Sequence, residues 1–91
     1  MTERILTQHP QGKLGTNIEK TKYDVVRDAI LRAIREQEEI PFSELPAAVE
    51  KNLTNFEGSI GWYTTTVKLD LEARGEIEQV PKQSPQVLRL K

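Results

Sequence analysis

The sequence predicts an α+β fold of three helices and a small antiparallel sheet, in the order helix, strand, helix, helix, strand, strand. Three observations predict it. Apolar residues recur at helical spacing between Thr21 and Gln37, between Ser43 and Leu53, and between Ser59 and Arg74. A short proline-bearing run, Ile40-Pro41-Phe42, separates the first two stretches and reads as extended. Beyond Gly75 the period changes: 76–80 and 86–90 read as short strands joined by Pro81-Lys82-Gln83-Ser84-Pro85.

Thr21 is the expected cap of the first helix, with Asp24 three residues later returning the bond to the backbone. At about 100° per residue, Tyr23, Val26, Ala29, Ile30, Ala33 and Ile34 share one stripe. Asp28 and Arg32 stand on the other side at i, i+4 spacing, an exposed pair worth about 0.3–0.5 kcal/mol. The helix should end near Gln37. Ser43 is the expected cap of the second helix, with Glu44 in its first turn and Pro46 early enough to be tolerated. Leu45, Val49 and Leu53 define its buried edge, and 54–58 form the turn that follows, with Phe56 tucked inward.

The third helix runs from a Ser59 cap to Gly75, which suits the left-handed residue after a helix end. Ile60, Thr64, Val67 and Leu71 share its core face, and Trp62, Leu69 and Ala73 form a second apolar stripe. Gly61, Thr65, Lys68 and Glu72 are left on the polar strip. If neighbours bury only the first stripe, the Trp62 stripe becomes a contact surface. In the last strand Leu88 and Leu90 point one way and Val87, Arg89 and Lys91 the other, as in a half-buried strand. A hairpin placed after a third helix in this order is the pattern of a winged helix-turn-helix domain.

That domain is expected over residues 21–91. Residues 1–20 are expected to form a partly ordered N-terminal arm, because Ile5, Leu6, Leu14 and Ile18 are too apolar for a solvated tail. Arg4-Ile5-Leu6-Thr7 suits a short strand and His9-Pro10-Gln11-Gly12 a turn.

Thirteen Lys and Arg against fourteen Asp and Glu give a net charge of −1, whereas DNA readers tend to be basic. The acidity is local: residues 38–57 hold five Glu and one Lys, while the other stretches are slightly basic. There is no Cys, so neither disulfides nor thiolate chemistry is expected. Without a signal-like or membrane-length apolar run, a cytoplasmic protein that does not span a membrane is expected. No enzyme is expected and no cofactor. His9 is the only histidine and lies in a turn, no residues have metal-ligand spacing, and Gly12-Lys13 lacks the rest of a phosphate loop.

Several stretches resemble a small family of uncharacterised bacterial proteins. They are Ile5-Leu6-Thr7, His9-Pro10, Gly12-Lys13, Lys22 to Arg27, Phe56 to Ser59, and Val67 to Gly75. The resemblance spans most of the chain and implies a winged-helix-like fold, without an assigned activity. Leu71-Glu72-Ala73-Arg74-Gly75-Glu76-Ile77 separately resembles the junction of recognition helix and wing in bacterial winged-helix regulators. That junction speaks for a fold and carries over no catalytic residue.

Two functions follow as expectations. In the first, the third helix enters the major groove of DNA in a regulatory role, with Ser59, Thr65 and Lys68 on the helix and Lys82 and Arg89 around the wing making contact. Glu57 and Glu72 oppose it, and no arginine stands in the first turns of the helix to read guanine. In the second, the domain binds a protein partner or a second copy through Trp62, Leu69 and the arm. Trp62 itself reads more simply as core area between the third helix and the arm or wing.

Overall fold

The computed structural model describes residues 2–91. Its helices are α1 (Lys20–Gln37), α2 (Leu45–Lys51) and α3 (Ile60–Ala73). Its strands are β1 (Arg4–Leu6), β2 (Asn17–Glu19), β3 (Glu39–Pro41), β4 (Ile77–Gln79) and β5 (Val87–Leu90). The fold is α+β, with three helices and two antiparallel sheets, one ordered β1-β2 and the other β3-β5-β4. In the second sheet Leu88 lies opposite both Ile40 and Gln79, so the last strand is central.

One core joins these layers. Val26, Ile30 and Ile34 of α1, Leu45 and Val49 of α2, Val67 and Leu71 of α3, and Ile40 and Leu88 of the sheet have no exposed surface. The buried residues of α1 are the six that the helical spacing selects. Among the described residues, no helix is long and apolar enough to cross a membrane.

The arm is a hairpin in which Ile5 faces Ile18. Thr7 holds its loop. The Thr7 amide donates to the Thr16 carbonyl at 2.9 Å, and the Thr7 hydroxyl accepts from the Thr16 amide at 2.8 Å. Gly15 has no alternative there, because a Cβ would stand 1.6 Å from the Thr7 carbonyl oxygen. Ile18 is buried and Ile5 half-buried, but Leu6 and Leu14 are 58% and 95% exposed, contrary to their expected packing.

The hairpin also moves the start of α1. Strand β2 runs directly into the helix, and the Lys20 amide donates to the Glu3 carbonyl at 2.9 Å. That backbone bond satisfies one of the amide donors left unpaired at the start of the helix. Thr21 therefore lies inside the helix and makes no cap, while Asp24 pairs with Lys20 at 2.9 Å. Asp28 approaches Arg27 (3.8 Å) and forms no ion pair with Arg32. Ser43 is likewise not a cap, since Phe42–Glu44 form a 3-10 turn that leads into α2.

Candidate functional site

Both ends of α3 are fixed by local chemistry. At the first, the Ser59 hydroxyl accepts the Trp62 amide at 3.2 Å. At the second, the Glu76 amide reaches back to Leu71 (2.9 Å) and the Gly75 amide to Glu72 (3.1 Å). Gly75 has φ +77°, and the two bonds together make a Schellman stop. Between these ends Thr64, Val67 and Leu71 are buried, so the register of α3 is the one its spacing predicts.

Asp70, wholly buried on α3, joins three parts of the molecule. Its carboxylate accepts the Gln8 amide of the arm at 2.8 Å, the Tyr23 hydroxyl of α1, and Arg74 Nε at 2.9 and 3.0 Å. Burial, and then the bond to this carboxylate, push the Tyr23 phenol well above its usual pKa.

The five residues expected to meet DNA do not form one charged surface. Ser59 and Thr65 are exposed at the start and on the outer side of α3. Lys68 is not on an exposed strip: it is 4% exposed, its ammonium 2.5 Å from Glu72 and 4.8 Å from the centre of the Phe42 ring. Phe42, led over α3 by the chain leaving β3, provides the cover that the helical pattern alone does not reveal. Arg89 stands opposite Glu78 in the β4–β5 pair and bonds to it at 2.8 Å. Lys82 is exposed in the hairpin loop and has no carboxylate within ion-pair reach among the described residues.

Trp62 is not core. It is 46% exposed at the opening turn of α3, while Leu69 and Ala73 of the same stripe are half-buried. Its ring meets Tyr63 edge-on at 4.9 Å, and Tyr63 meets Phe56 edge-on at 5.1 Å. The Lys22 ammonium lies over both inner rings, 5.5 Å from Tyr63 and 5.9 Å from Phe56. Beside this row is a cleft of about 300 Å³. Thr21, Lys22 and Val25 of α1 form one wall, and Asn55, Phe56 and Glu57 of the α2–α3 turn form the other.

Val25, also 46% exposed, lines this cleft and lies outside the buried stripe of α1. An apolar residue displaced from a helix's core face was the one signal in the sequence for this cleft. Neither Lys22 nor Val25 is among the expected site residues.

Residues 4–88 match the family described as "Family of unknown function (DUF6958)", and the chain belongs to that family. The match includes the arm as well as the three helices. No curated protein and no solved structure matches the chain.

Proposed function

We propose that this chain is a non-enzymatic winged-helix module that binds protein through the Trp62 end of α3. The winged-helix reading is supported by the sheet order β3-β5-β4 and by the hairpin that follows α3. One observation carries the functional reading: α3 exposes its tryptophan, while its single cation, Lys68, is buried against Glu72. A helix that reads DNA needs free positive charge to release counterions from phosphate. An exposed tryptophan beside an apolar cleft suits instead the anchor of a protein interface.

DNA binding in a regulatory role is the second reading, favoured by the free Lys82 of the hairpin loop and the exposed hydroxyl residues Ser59 and Thr65. Two measurements on the full chain separate the readings. A benzophenone amino acid placed at the exposed position 65, one turn along α3 from Trp62, should yield a protein adduct on irradiation in cells. Random duplex DNA at low salt should give no gel shift. A shift that fades steeply with added salt, with DNA adducts replacing protein ones, overturns the proposal.

A further inference from the structure

We propose that the protein which docks here is a second copy of this chain, related by a two-fold axis, with Trp62 of each protomer entering the cleft between Lys22 and Glu57 of the other. This inference rests on the reading of the Trp62 end as a protein-binding surface.

The surface carries a projecting ring and a cleft side by side. Phe56 lines the cleft and touches Tyr63, and Tyr63 touches Trp62, so ring and cleft are two edge-on contacts apart. In a two-fold interface every contact between two different residues occurs twice, once in each direction. A chain with a ring next to a cleft can therefore fill both clefts with a single geometry. Trp62 and Val25, each 46% exposed, supply apolar surface on both sides of the contact.

Charge selects this occupant over others. Lys22 stands on the α1 wall and Glu57 on the opposite wall, and neither has an ion-pair partner among the described residues. A nucleic acid, or a peptide of one charge sign, would meet one matching and one opposing charge at this rim. A second copy turned through two-fold symmetry brings Lys22 to the partner's Glu57 and Glu57 to the partner's Lys22. The net charge of −1 opposes such pairing only slightly.

Charge reversal tests the inference on the full chain by sedimentation over a wide concentration range. Wild type should reach twice the monomer mass. Lys22→Glu and Glu57→Lys should each weaken self-association at least about tenfold, because each sets like charges together twice. Mixing these two variants should give a heterodimer, and Lys22→Glu with Glu57→Lys in one chain should restore the homodimer. Trp62→Ala should remain monomeric, with the thermal midpoint that wild type shows at concentrations too low for it to dimerise.

A wild type that stays monomeric throughout, or a dimer indifferent to both reversals, overturns the proposal. The position-65 crosslink separates its failure from that of the broader reading. An adduct of twice the chain mass supports the second copy. A protein adduct of any other mass sinks the second copy and leaves the protein-binding reading in place, and the absence of any protein adduct sinks both.

Discussion

Replacing Asp70 with Ala should destabilise the fold by about 2–4 kcal/mol, the cost of leaving its hydrogen-bond donors unpaired. The structure apportions that loss among three donors. The Tyr23 hydroxyl is buried and would be left without an acceptor, which costs about 1–3 kcal/mol. The half-buried Gln8 amide would lose its only bond to the body, about 1 kcal/mol more. Arg74 adds little, because its side chain is one-third exposed and water can replace the carboxylate. Urea denaturation followed by far-ultraviolet circular dichroism measures the total. The thermal midpoint should fall by about 4–8 °C for each kcal/mol in a domain of this size. Asp70→Asn keeps an acceptor for Tyr23 and should lose roughly half as much. If Asp70→Ala costs less than about 1 kcal/mol, the carboxylate does not join arm, α1 and α3, and the reasoning fails.

Leu71→Ala, at a position with no exposed surface, should cost about 2–5 kcal/mol in the same assay, and a loss under about 1 kcal/mol would contradict the register of α3. The raised pKa of Tyr23 predicts an alkaline effect. Below about pH 10 both folded and unfolded chains keep the phenolic proton; above it the unfolded chain loses the proton first, so stability falls by up to about 1.4 kcal/mol per pH unit. Tyr23→Phe should remove that share of the slope, and parallel curves for variant and wild type would refute the assignment. Gly15→Ala drives a Cβ into the Thr7 carbonyl and should release the arm. Hydrogen exchange would then show the Thr7 and Thr16 amides unprotected while the amides of α2 stay protected, and retained protection at Thr7 would count against it.

Local rules were legible where both partners of a contact are close in sequence. The stripe of α1, the Ser59 cap, the Gly75 stop and the terminal β4–β5 hairpin all follow from spacings within a few residues. The expected caps at Thr21 and Ser43 failed for the complementary reason. A strand from the arm supplies the bond at the start of α1, and a 3-10 turn carries the chain into α2. Of the site, the Trp62 stripe was visible in the sequence as a conditional contact surface. The cleft beside it was hinted at only by Val25, because its walls come from residues some thirty positions apart.

What the sequence alone determined about this protein is therefore where its three helices and the strands β1, β3, β4 and β5 lie and which apolar faces of α1 and α3 turn inward, since periodicity is a property of consecutive residues. Only the tertiary structure decided which polar groups are withdrawn from water. Lys68 lies beneath Phe42, Asp70 is held by Gln8 and Tyr23, and Trp62 is left uncovered. A charge is buried or free according to the partners that reach it, and here those partners arrive from elements far along the chain.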